Sequence, residues 1–176
     1  MIRAVTQLLA VLAFAWSGPV LGEVRIHFHS FNGSVLFGRF PHTFVVLEGT
    51  LEETGAPVSE NYGFSAKRPN ASVLKGPVEH VLLTETPRNV ARTNRHFSLT
   101  ITDEQYRKIT AEIRRWQNAP GRYYDLDTRN CIHFVGRMAT TLGLRVEYPE
   151  TMLRRPKKWL NHIATLNPGL RAQEAD

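Results

Sequence analysis

The single cysteine of the chain, Cys131, lies in Asn130-Cys131-Ile132-His133-Phe134-Val135, where a turn-rich stretch gives way to apolar residues at helical spacing. A thiol in the first turn of a helix meets unpaired backbone N–H groups and the positive end of the helix dipole. Both favour its thiolate and make it a candidate nucleophile. The backbone N–H of Cys131 belongs to the same set and suits a carbonyl oxygen under attack. A buried cysteine acting as a small hydrophobe is the commoner case, so the thiol needs company before it means chemistry. A cysteine nucleophile requires a base within hydrogen-bond reach, and that base an orienting partner. Among seven histidines, His42 stands out because it follows Pro41 and opens a strongly hydrophobic run, which puts an imidazole at a strand end. His133 points about 200° around the helix from Cys131 and reads as structural or supporting.

The elements that must position these residues are legible from periodicity. Residues 23–29 alternate with period two, as in a strand with one buried face, and His42-Thr43-Phe44-Val45-Val46-Leu47-Glu48 predicts a buried strand that ends at Gly49. Glu60 to Ser65 reads as its antiparallel partner, and strands are also predicted over 78–83 and 96–101. Thr102 and Gln105 form a capping box ahead of Tyr106, Ile109, Ile113 and Trp116, which marks a helix ending before Pro120. A second helix carries Cys131 in its first turn, with Phe134, Val135, Met138 and Leu142 as its apolar face and Gly143 at its end. Pro156 to Ile163 suggests a short terminal helix, and Trp116 and Trp159 are expected in packing roles.

With 176 residues, 42% hydrophobic and 22% charged, the chain fits one ordinary globular domain. Residues 1–22 have the layout of a secretory signal: Arg3, then Leu8 to Trp16 as the apolar stretch, a break at Ser17-Gly18-Pro19, and small residues before a cleavage after Gly22. The expected arrangement is a signal peptide over 1–22 and a single domain over 23–176, with a basic extension from about residue 150. Export places the protein in the periplasm or outside the cell. A lone thiol there can form no intrachain disulfide, which shifts weight toward use. The net charge of +6 suits an anionic neighbour such as wall polymer or lipid headgroups. Nucleic acid is discounted, because no binding motif accompanies the charge. Arg154, Arg155, Lys157 and Lys158 flank Pro156 and could touch a membrane surface or an anionic polymer. His27 and His29 share a strand face at a spacing that could chelate, but no third ligand is evident, so neither a metal nor a cofactor is expected.

Asn130-Cys131-Ile132-His133-Phe134-Val135 is similar to the N-C-E-H-F-V motif of the lecithin retinol acyltransferase group, and Pro41-His42-Thr43-Phe44-Val45-Val46 resembles that group's upstream histidine strand. The order, histidine first and cysteine about ninety residues later, matches the circularly permuted branch of the NlpC-type papain-like superfamily, which includes exported bacterial proteins of the YaeF and YiiX type. The resemblance covers roughly residues 24–145. It implies an α+β, permuted papain-like fold in which an antiparallel sheet packs against two main helices. It also implies that Cys131 is the nucleophile and His42 the general base. The family's third, polar member falls within Glu60-Asn61-Tyr62-Gly63-Phe64, where the usual second histidine is missing. Asn61 is the choice, because a side-chain amide can accept the imidazole N–H, while Tyr62 and Glu60 stay open until strand register is known. Ile132 replaces the glutamate of the family motif, which leaves the thiol chemistry intact and unsettles substrate choice.

The expected activity is thiol-dependent hydrolysis of an amide or ester through an acyl-enzyme on Cys131, with cell-wall peptide the first substrate by family association. A lipid acyltransferase or esterase would use the same pair and would need an apolar groove near Phe37, Phe40 and Phe44. A catalytically silent binding module is the third reading.

Overall fold

The computed structural model describes residues 22–33 and 40–170. The expected signal segment before residue 22, Phe37 and the last six residues lie outside them. The architecture is α+β. Five strands, β1 (Val24–Phe31), β2 (His42–Thr50), β3 (Pro57–Ala66), β4 (His80–Leu83) and β5 (Asn94–Ile101), form one antiparallel sheet in the order β4-β3-β2-β1-β5. Alternation sorts their side chains. Val24, Ile26, Phe28, Val45, Leu47, Phe64 and Phe97 face the helices and are almost wholly buried, with Phe28 and Phe97 stacked at 4.6 Å.

Three long helices cover that face: α2 (Asp103–Gln117), α3 (Cys131–Thr141) and α4 (Pro156–Leu166), after a single-turn α1 (Pro87–Val90) between β4 and β5. Both bonds of the capping box at Thr102 and Gln105 form, which satisfies two orphan donors of α2 and contributes about 1 kcal/mol. The first-turn Asp103 also accepts the N–H groups of Glu52 and Glu53 at 3.0 and 2.9 Å, tying α2 to the β2–β3 turn. The expectation of two main helices needs correction. α4 packs against β1 and β5 and buries Trp159, Leu160 and Ile163 completely, so the segment after residue 150 completes the core instead of extending from it. Its basic residues mask an apolar stripe at helical spacing.

The other sheet face is also buried. β4 and β5 are opposite edges, so residues 84–93, with α1 among them, must cross the sheet, and Asn61–Glu85 and His29–Thr93 hydrogen bonds pin them over the face opposite the three long helices. Beneath lie His27, His29, Phe44 and Val46.

Candidate active site

The β2–β3 ladder runs from Thr50↔Pro57 to Val45↔Tyr62 and stops there; from Gly63 onward β3 pairs with β4 instead. The strands therefore part at the His42 end of β2, and the start of α3 enters beside the parting. Cys131, 7% exposed, and His42, 8% exposed, both line the same cavity of about 480 Å³. The histidine and cysteine that the sequence singled out, 89 positions apart, thus line one cavity.

Asn130 fixes the thiol. Its carboxamide oxygen accepts from the N–H groups of Ile132 (2.8 Å) and His133 (3.3 Å), while its Nδ2 donates to the carbonyls of Leu126 (2.6 Å) and Leu153 (2.9 Å). His133 Nδ1 accepts the Asn130 N–H at 3.3 Å and closes a capping box with histidine at the position that usually holds Glu or Gln. Its ring stacks on Tyr148, which stacks on Trp159 of α4. So the asparagine and histidine flanking Cys131 serve the helix start, as the structural reading of His133 anticipates.

The thiol departs from expectation in its acidity. Burial pushes the Cys131 thiol up to about 11, against the smaller opposing effect of the N–H groups of Thr43, Ile132 and Cys131 itself. Desolvation outweighs the helix-dipole stabilisation, and the resting group is a neutral thiol at pH 7. The Thr43 N–H, one residue past His42, points at this sulfur. Tyr124 lines the cavity too, and the proximity of Cys131 adds to burial in raising its phenol.

The third member needs correction. Glu60 and Tyr62 point to the helix side, where the Tyr62 and Tyr106 hydroxyls each donate to the Glu60 carboxylate at 3.1 Å. Burial pushes the Tyr62 phenol up to about 12, with Glu60 adding to the shift. Asn61 shares the sheet face of His42, but the register sets it across from Val46, and its amide clamps the backbone of Glu85 in both directions, at 2.6 and 2.9 Å. The β3 residue against His42 is Gly63. A Cβ there would stand 2.3 Å from His42 Nε2 and 3.2 Å from Phe44 Cβ. The imidazole occupies the space where a side chain from β3 would have oriented it. Only the register of β3 could have disclosed this, and a sequence does not carry it.

The cavity is mostly apolar. Phe31, Val73, Leu126, Ile132 and Leu153 line it, and the partly exposed Phe40, Leu74 and Leu83 stand among its walls. One wall comes from the irregular stretch after β3, where Asn70 caps a short 3-10 turn over Ala71–Leu74, so this stretch shapes the groove. Ser65, Asn70, Glu85 and Arg154 supply polar groups. Phe44, expected in such a groove, is instead 1% exposed on the face opposite the three long helices.

His27 and His29 belong to that same covered face and take hydrogen-bonded packing roles. His27 contacts Ser98 Oγ at 2.6 Å through Nδ1 and Glu48 at 2.9 Å through Nε2. His29 Nδ1 meets Thr93 Oγ1 at 2.8 Å; because that hydroxyl donates to the Val90 carbonyl, His29 must donate to it. Among the described residues no group of three metal-binding side chains assembles, and no helix is long and apolar enough to cross a membrane. Compared with family models, with curated proteins and with solved structures, the chain matches none.

Proposed function

We propose that the protein is a thiol-dependent acyl hydrolase or acyltransferase of the permuted NlpC-type papain-like kind, acting outside the cytoplasm. The observation that carries this reading is the sharing of one cavity by Cys131, at the start of α3, and His42, at the end of β2 where the sheet parts. Because burial keeps the thiol neutral, the reaction begins by general-base catalysis and needs no preformed ion pair. His42 takes the Cys131 proton as sulfur attacks the substrate carbonyl. The C–S bond forms, and the Cys131 N–H steadies the developing oxyanion. Collapse breaks the bond to the leaving alcohol or amine, which receives the proton from His42. Water, or another acceptor, then attacks the thioester with His42 again as base, releasing the acyl group and restoring the thiol.

The apolar lining favours an acyl substrate over cell-wall peptide. A peptide needs polar partners along its backbone, whereas Phe31, Val73, Leu126 and Leu153 offer an aliphatic chain burial at about 0.8 kcal/mol per methylene. Nitrophenyl acetate and nitrophenyl decanoate, assayed with a search for an acyl adduct on Cys131 by mass spectrometry, test this. Faster turnover of the decanoate, lost in Cys131→Ser, is expected. Equal rates would return the peptide to first place. Rates indifferent to Cys131→Ser, with no adduct, would mean a silent thiol and a binding module.

A further inference from the structure

Beside the acyl groove lies a second cavity, of about 380 Å³, at the start of α4. It shares Pro41, Arg154 and Pro156 with the groove, so the two spaces adjoin. Their walls differ in kind. Arg155, Lys157 and Lys158 line the second cavity, and among the described residues none of the three pairs with a carboxylate. Arg154, at the junction, is held in place by Asp127 at 2.9 Å. The Asn161 side-chain oxygen accepts from His96 Nδ1 at 2.7 Å, which leaves its Nδ2 as a donor for the cavity. Apart from the Asn32 and Asn161 amides, the polar side chains lining this space are cations, and among the described residues no carboxylate lines it. A site of that composition selects phosphate-type oxygens, and at a surface cavity only partial desolvation is needed for such charge-assisted bonds.

We propose that this basic cavity binds the anionic headgroup of a phospholipid whose acyl chain occupies the adjoining groove, so that Arg155, Lys157 and Lys158 determine which lipids present their ester to Cys131. The proposal rests on the acyl-transfer reading for its chemistry, but the binding it describes does not require turnover. Charge complementarity carries the choice of occupant: a neutral lipid leaves the three cations without a partner, a zwitterionic headgroup sets its own ammonium among them, and a chain-free polyanion leaves the apolar groove unfilled.

The test uses full-length protein carrying Cys131→Ala, which cannot turn over, and calorimetric titration with short-chain phosphatidylglycerol and phosphatidylcholine of equal chain length, both kept monomeric. Phosphatidylglycerol should bind at least about tenfold more tightly, because the choline ammonium of the other lipid is repelled by the three cations. That advantage should shrink as salt rises. It should vanish in Arg155→Gln/Lys157→Gln/Lys158→Gln, whose substituted residues are exposed and whose melting temperature should match the parent. Equal affinity for the two lipids, or an advantage that survives the triple substitution, overturns the proposal. So does inorganic phosphate or a soluble anionic wall polymer binding as tightly as the lipid, since the chain would then add nothing. A Cys131 adduct in the wild type without headgroup preference would leave the thiol reading standing and remove this one alone.

Discussion

The two halves of the β2–β3 pair differ in what their backbones do. From Val45 to Thr50 the strands are laddered together and closed by a turn that Asp103 grips. From His42 to Phe44 the ladder has ended, β3 has turned to β4, and the Thr43 N–H points at a thiol. Each half contains a glycine under close approach. In the laddered half Gly49 has φ +131, and a Cβ would stand 1.9 Å from the Glu23 carbonyl oxygen; in the parted half Gly63 yields room to the His42 ring. One glycine keeps strands together and the other keeps an imidazole in place. The lesson is that one strand pair can be scaffold at one end and site at the other, with the boundary set by where hydrogen bonding changes partner.

This contrast can be broken at four points. His42→Ala, in the parted half, should lower kcat about 10²- to 10⁴-fold while the unfolding midpoint in urea holds, since general-base contributions are of that size. A similar fall in stability would make His42 a core residue instead.

On the covered face, burial, followed by the charges of His27, Arg95 and His96, lowers the His29 imidazole from 6.5 to about 4. Burial also lowers His27, with Glu48 opposing and Arg95 and Arg25 assisting. A depressed histidine contributes its stability in full above pH 6.5. Between there and about pH 4 the unfolded chain takes up the proton first, so that stability is lost as pH falls. For His29 the loss is on the order of 3 kcal/mol. Urea unfolding at neutral and acidic pH, compared with His29→Phe, reads it. A slope unchanged by the substitution would assign the loss to other groups.

Gly63→Ala should cost about 10²-fold in kcat/KM, the scale of an ångström-sized misplacement, because the Cβ displaces the His42 ring. Its stability should change little. Gly49→Ala should do the reverse, costing about 1–3 kcal/mol through a strained backbone while the surviving folded fraction keeps its specific activity. Identical behaviour of the two variants would erase the distinction between the halves.

Much of the frame was legible before the fold. Period-two alternation marked the strands, and the Thr102–Gln105 box marked the start of α2, because both signals are local. That His42 and Cys131 line one cavity was also anticipated, through the resemblance of two short motifs. The partner of Asn61 was not: it depends on β3 changing neighbours after Tyr62 and on residues 84–93 crossing the sheet, and neither leaves a trace in composition. The acidity of Cys131 was misjudged for a related reason, since the helix start is visible in sequence and the burial of that start is not. The terminal helix from Pro156 was legible but its place in the core was not, because the four cations around Pro156 are counted more easily than the stripe of Trp159, Leu160 and Ile163 beneath them.

The bond from Asn130 Nδ2 to the Leu153 carbonyl has a consequence in time. The start of α3 is fully anchored only when a segment more than twenty residues downstream has arrived, and the Tyr148 ring that stacks on His133 is seated over Gly136, where any Cβ would stand 2.2 Å from its hydroxyl. A chain emerging from the ribosome presents His42 first, Cys131 later, and Leu153, whose carbonyl clasps Asn130, later still. The Cys131 thiol is therefore seated only after residue 153 has emerged, and a chain that has just reached Cys131 holds it and His42 without the clasp that fixes the helix start.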